Sequence, residues 1–499
     1  MFSVFLLLLV PSLTSAASKP MKLVGSLLPW QGQFGAVVVD ANRGVAYMGS
    51  LDANHGPAVI DIRNREHPVL SMDLGPAPQP DSGQLALSFD VDLVGRYLIV
   101  SHHQELGRNA FSGLSVYDTA ADPFHPTLLR RIPHLGDCGL ESAILDPEVE
   151  NGRPYAYCFS HCIFNGGMYT VNILTGEVLS RFVSLEPLPC PPFPCHEENL
   201  PHEGTVQRHP TSHRMLVYIG YWDSGLRIAD VTNPTSPVEV GSFDYGAGTP
   251  NRNAHGAVPT PSGNWVYVGD EFGDAEPPGG GIHIFDAHTC DGTSYCTAAQ
   301  VGFYHTAGNA VQSFEEVYSY FFAWDVHNMT AKGENTLLFG NYGYGARLID
   351  TSNKANPSEL SFYVPNTPAP MEWVALFGSD DLVYASDINS GLLILKPKGL
   401  DQEGENAAVA TLRITSRTSG PGAHEITFTT QRDGRIALEI FDVVGRRVAI
   451  VEDQHAAAGS HTLAWNGLRN GRPAATGLYF ARASTPDGKM SGKLLHLAP

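Results

Sequence analysis

Histidines and carboxylates stand where the short apolar runs of this chain begin and end. Glu141 (ESAIL), His202-Glu203 (HEGTV), His255 (HGAV), His327 (HNM) and Glu372 (EWVAL) each open such a run. Other runs close on His102-His103-x-Glu105, His161, Trp222-Asp223, Asp270-Glu271, Asn341-Tyr342 and Asp387. Imidazole and carboxylate are the ligands of zinc, iron, manganese and copper sites. A ring of them suits a divalent transition metal serving hydrolysis or redox chemistry. A lone strand histidine is more often a satisfied structural residue, and repeats duplicate structural residues too. What sets these apart is recurrence at matching places in consecutive segments.

Antiparallel strands must position them. Met215–Asp244 holds the apolar runs Leu216–Ile219, Leu226–Val231 and Val238–Phe243. Asp223-Ser-Gly225 and Asn233-Pro-Thr-Ser-Pro237 separate them. Bursts of β-branched and aromatic residues cut by Gly, Pro, Asn and Asp predict short strands and turns. One meander cannot bury both its faces, so it needs copies.

The chain supplies those copies. GYWDSGLRIADVTNPTSPVEVGSFD resembles an LVIVD repeat, a unit of bacterial secreted β-propellers. The same grammar recurs in Gly35–Leu74, in Arg96–Ile132, and in YAYCFSH…GGMYTVNILTGEVLSRFV. It returns in WVYVGDE…GGIHIFDAHT, in TLLFGNYGYGARLIDTSNKANPSELSFYV, and in Leu382–Lys398, which lacks an outer strand. Lys22–Leu28 reads as an outer strand with no sheet before it, so it is expected to complete the last copy and close the ring. The resemblance thus implies a seven-bladed β-propeller over residues 22–398.

The flanking segments suggest export. Leu6–Leu9 lies in an apolar run followed by Pro11 and Thr14-Ser-Ala-Ala-Ser18, the form of a signal peptide over residues 1–17. That run is too short to span a bilayer, and no other stretch reaches membrane length. Residues 399–409 (GLDQEGENAAV) are acidic and aperiodic, as in a linker. Residues 410–499 alternate apolar and polar residues around Gly turns, which predicts a small Ig-like β-sandwich. Asp442–Arg446, Trp465-Asn-Gly467 and Gly477-Leu-Tyr479 resemble the FlgD-like Ig domain and the C-terminal sorting domain of type IX secretion. Pro421-Gly-Ala-His424 stands where the sorting module usually has Asn-Pro-Phe, so a sorting signal and a passive Ig module both stay open.

Composition narrows the partners. With 31 Lys+Arg against 51 Asp+Glu the net charge is −20, which disfavours nucleic acid and anionic membrane. Seven cysteines in an exported chain allow at most three disulfides. Cys190 with Cys195 and Cys290 with Cys296 are the local pairs, while Cys138, Cys158 and Cys162 offer one more. No zinc-type CxxC, GxSxG elbow or P-loop occurs, and Pro201 breaks any HExxH helix around His196–His202. Asp270–Glu276 lacks EF-hand spacing and reads as a solvated acidic loop. Tyr221, Trp222, Tyr342 and Tyr344 suit a ligand-binding mouth or rim packing.

In an antiparallel sheet the start of the first strand and the end of the second share one end. The resemblance sets the first strand beside a central channel. Glu141, His202, Glu203, His255, His327 and Glu372 are therefore expected at its mouth, with His102, His103, His161, Trp222, Asp223 and Asp270 on the rim. No catalytic residue is assignable. Two functions follow. The favoured one is an exported, monomeric, non-catalytic binding or scaffold propeller, taking a protein or small molecule on its face and held at the cell surface by its C-terminal module. The other is a metal-dependent oxidoreductase or hydrolase using the His/Glu cluster.

Overall fold

The computed structural model describes residues 18–77, 86–104, 113–133, 135, 139–160, 166–184, 200–222, 224–243, 253–271, 281–306, 326–367, 370–398, 415–420, 423–430, 434–442, 446–457, 459–469, 471–485 and 488–496. The chain divides into two compact units, Met1–Gly399 and Leu400–Pro499. No helix among the described residues is long and apolar enough to cross a membrane.

In the first unit, strands follow one another in antiparallel groups of four. The first sheet is Phe34–Asp40, Val45–Ser50, Ala58–Asp61 and Val69–Asp73, and a single bridge, Ser50 to Ser88, joins it to the second. The second is Ala86–Val94, Tyr97–Gln104, Gly113–Asp118 and Thr127–Pro133, and the third Ser142–Leu145, Tyr155–Ser160, Gly167–Asn172 and Val178–Phe182. The fourth is Glu203–Arg208, Met215–Gly220, Leu226–Asp230 and Val238–Phe243. The fifth is Asn253–Pro259, Trp265–Glu271, Ile282–Asp286 and Ala299–Tyr304. The sixth is Val326–Lys332, Thr336–Asn341, Gly345–Asp350 and Ser358–Tyr363. The seventh takes Glu372–Phe377, Val383–Asp387 and Gly391–Lys396 from the end of the unit and its outer strand, Lys22–Leu27, from the beginning. Each innermost strand packs on the next, and the seventh packs on the first. This is a β-propeller.

Two local devices recur from sheet to sheet. The residue ending the third strand caps the turn after it. Asp61, Asp118, Asn172, Asp230, Asp286 and Asp350 each accept the backbone N–H two positions on, at 2.7–3.0 Å. Such an Asx turn needs a short side chain carrying an oxygen, hence the acidic ending of the repeat phrase. The pairing of third and outer strands also carries a bulge, for example at Ile228/Ala229, Ile284/Phe285 and Leu348/Ile349. A bulge increases local twist, as a radial sheet requires. Gly225, at φ +76°, makes the sharp entry into the third strand of the fourth sheet.

Apolar faces meet between sheets. Leu216, Tyr218, Ile228, Val266, Val268 and Phe285 form one core between the fourth and fifth. Cys290 and Cys296 form a disulfide there, and Cys296–Thr297 pairs in parallel with Gly241–Ser242, covering the outer edge of the fourth sheet. Lys19–Pro20 covers the sixth sheet's outer edge in the same way. Cys158 is a free, buried thiol whose pKa burial pushes up. Cys190, Cys195, Cys138 and Cys162 lie outside the described residues.

The second unit has a three-stranded sheet, Thr415–Gly420, Ala423–Thr430 and Gly459–Trp465. Its four-stranded sheet runs Arg447–Ala456, Gly434–Asp442, Gly477–Thr485 and Gly488–His496 in spatial order. Ile426, Phe428, Leu438, Ile440 and Trp465 share one core. The motif residues have structural tasks. Arg446 N and Nε donate to Asp442 at 3.0 and 2.9 Å, Trp465 Nε1 donates to Leu468 O at 3.1 Å, and Tyr479 Oη donates to Ala475 O at 2.9 Å.

Candidate metal centre

Bulges in the innermost strands decide which side chains reach the central cavity. Register shifts at Ala254/Gly256 and Val326/Met329 set His255, and the pair His327-Asn328, out of the regular ladder. Shifts at Leu87/Asp90 and Glu372/Val374 do the same for Phe89 and Trp373. A bulge re-aims a side chain that alternation would send elsewhere. All five residues line one cavity of about 300 Å³, together with His202, Glu203, Glu141 and Glu271.

Three imidazoles in that cavity present Nε2 to one carboxylate. His255 Nε2 is 3.5 Å and His202 Nε2 3.9 Å from Glu271 Oε2, and His327 Nε2 is 3.9 Å from Glu271 Oε1. Ligand atoms of His202, His255 and Glu271 all lie within 4.8 Å of one another. These separations are too long for direct hydrogen bonds. Those of His202, His255 and Glu271 approach the edges of a coordination polyhedron, about 3.3 Å for ligands roughly 2.0–2.1 Å from a tetrahedral ion, while His327 faces the other carboxylate oxygen and lies outside that group.

Glu203 and Asn328 stand beside the opposite ring nitrogens. Glu203 Oε2 faces His255 Nδ1 at 3.4 Å, Asn328 Nδ2 donates to Glu203 Oε1 at 2.7 Å, and Asn328 Oδ1 accepts from His327 Nδ1. The Asn328 contact leaves the Nε2 lone pair of His327 toward Glu271, the tautomer a metal requires, while Glu203 stands beside Nδ1 of His255. Burial holds His327 neutral, pushing its pKa down to about 3. Tyr342 Oη donates to Glu271 Oε1 at 2.5 Å and fixes the carboxylate. Backbone and ring contacts hold His202, whose N–H donates to Gly220 O at 2.9 Å and whose ring stacks on Trp222, centroids 4.6 Å apart. Trp222 sits at φ +34°, a backbone state uncommon for a bulky residue.

Carboxyls form another wall of the cavity. Asp90 accepts the Ala143 N–H at 3.0 Å, and burial pushes its pKa up to about 8. Burial, with Asp90 and Glu271 nearby, raises Glu203 well above the carboxylate range. Glu141 Oε1 lies 3.1 Å from His103 Nε2.

The structure thus brings Glu141, His202, Glu203, His255, His327 and Trp222 to one cavity and sets three expected residues elsewhere. Glu372 is not among the cavity residues, because the bulge beside it gives that place to Trp373; it is fully buried, and burial and Asp387 raise its pKa. Asp270 is no rim residue but a buried partner of His283 at 2.8 Å; alternation gives the cavity to Glu271. His102 is buried between Ser88 Oγ and Ser115 Oγ, at 3.0 and 2.8 Å. His161 and Asp223 lie outside the described residues. Sequence reasoning passed over Asn328, Trp373, Phe89 and Asp90. Each is one or two positions from a bulge, and no residue type announces those bulges.

Comparison with known proteins gives a match to the LVIVD repeat over residues 216–245. No curated protein matches the chain. Among solved structures it is similar to the β-propeller domain of Myceliophteria thermophila Cps50 (Swd1), at 12% identity and TM-score 0.45, covering 74% of this chain and 98% of that one. It is also similar to the C-terminal WD40 domain of Sif2, at 9% identity and TM-score 0.49, covering 77% of this chain and 100% of that one.

Proposed function

We propose that the protein is an exported, seven-bladed binding propeller that holds a divalent transition-metal ion at the mouth of its channel. The ligands are His202, His255 and His327 through Nε2, and Glu271. The observation that carries this reading is the approach of three Nε2 atoms to one carboxylate at 3.5–3.9 Å. The His327 lone pair that faces this carboxylate is repelled by it, and a cation between them reverses the sign of the interaction. The Glu203–Asn328 belt is the outer-shell support that metal-binding histidines usually have.

Export is supported by the leader-like Leu6–Leu9 region and by the Cys290–Cys296 disulfide, which suits an oxidising compartment. We take the second unit as an Ig-like module that attaches the propeller at the cell surface. The metal-dependent oxidoreductase or hydrolase shares this site and differs only in turning a ligand over.

Elemental analysis of the purified mature protein tests the reading, with wild type beside a His202→Ala/His255→Ala/His327→Ala variant. Near-stoichiometric metal in the wild type alone supports it. Absence of metal from both, after incubation with zinc, manganese, iron and copper salts, overturns it and leaves a scaffold with structural histidines.

A further inference from the structure

We infer that the cavity beside the metal centre is a subsite for a small monoanionic ligand with a flat apolar body, bound to the ion through its anionic donor. This rests on the metal-centre reading and names the class of molecule that site receives.

Three observations carry it. The first is volume. A cavity of about 300 Å³ exceeds what a bare ion needs and falls at the lower end of small-molecule sites. Three imidazoles and one carboxylate would fill a tetrahedral shell, but a five- or six-coordinate ion such as manganese, iron or cobalt would have room for one or two further donors.

The second is the wall. Phe89, Trp222 and Trp373 come from three different sheets and line the same space. Phe89 and Trp373 meet edge to face, centroids 6.0 Å apart and planes at 72°. Trp373 packs on His327 at 4.1 Å, and Trp222 stacks on His202. Trp222 keeps its uncommon backbone state while its carbonyl accepts the Ala254 N–H at 3.0 Å, so this part of the wall is fixed by the fold. Aromatic side chains ranged beside a metal favour a flat apolar body over a hydrated one.

The third is charge. A divalent ion with neutral imidazoles and one carboxylate keeps one net positive charge, which one anionic donor neutralises. Among the described lining residues there is no Lys or Arg to pair with a second negative charge, so a dianion fits poorly.

Two hydroxamates that share a chelating anionic head test this. The protein is loaded with cobalt(II), followed by its visible absorption, and titrated with acetohydroxamate and benzohydroxamate. The expected result is about tenfold or more tighter binding of benzohydroxamate, from burial of its ring. That preference shrinks in Phe89→Leu and in Trp373→Ala, with cobalt content measured on the same samples. Equal affinities in the cobalt-loaded wild type overturn the subsite while leaving the metal centre standing. A preference that survives both substitutions overturns it too. Failure of cobalt to load removes the subsite and the metal centre together.

Discussion

His255 Nε2 lies 3.5 Å from Glu271 Oε2, although the two residues come from adjacent strands of one sheet. His255 is the extra residue of a bulge, and Glu271 ends the strand beside it. The bulge at Ala254/Gly256 turns His255 inward, and the end of the neighbouring strand delivers Glu271. His202 and His327 then arrive from the fourth and sixth sheets, so the centre depends on three sheets holding their relative positions.

Outer-shell support is testable by itself. Glu203→Ala removes the acceptor of the Asn328 Nδ2 hydrogen bond and the carboxyl beside His255 Nδ1, and leaves every proposed ligand in place. Zinc affinity, measured by competition with a chelator, is expected to fall about 10–100-fold. An unchanged affinity would show that the belt does not orient the histidines.

Glu372 gives a pH dependence of defined sign. Its carboxyl is fully buried, neither oxygen has a hydrogen-bond partner among the described residues, and burial with Asp387 raises its pKa. The folded state therefore holds this proton more tightly than the unfolded chain. Its stabilising contribution is complete below the unfolded value of about 4.3 and is lost as pH rises toward the folded one. Glu372→Gln is expected to melt like wild type near pH 4 and several degrees higher at pH 8. Parallel melting curves across that range would contradict the assignment.

The Cys290–Cys296 disulfide pins a segment of the fifth repeat onto the fourth sheet's outer edge. Replacing both cysteines by Ser is expected to cost about 2 kcal/mol, as for a short closed loop. Denaturant unfolding with and without reductant checks it; wild type that is indifferent to reductant would contradict the role.

Ring closure rests on Lys22–Leu27 pairing with Gly391–Lys396. Deleting residues 22–27 exposes a long apolar strand edge, and a sharp drop in melting temperature with aggregation is expected. An unchanged melting temperature would show that the ring does not need this strand.

Much of the fold was legible because apolar bursts, Asx turns and Gly turns recur with the repeat. Even the closing strand showed itself, as Lys22–Leu28 looks like an outer strand lacking its sheet. The site was legible in part. His202, His255 and His327 recur near the starts of consecutive innermost strands, and their type points to metal. Glu372, Asp270 and His102 misled because a bulge or one step of alternation decides between channel and interior. Asn328 and Trp373 went unseen for the same reason, since a bulge is a property of strand pairing that neighbouring residue types do not encode.

The central claim is that three imidazoles and one carboxylate meet at a single ion. X-ray absorption at the metal edge of the loaded protein tests it most directly. The expected result is a first shell of nitrogen and oxygen with the multiple-scattering signature of about three imidazoles, lost in the variant lacking His202, His255 and His327. A shell without imidazole scattering, or no retained metal at all, would contradict it.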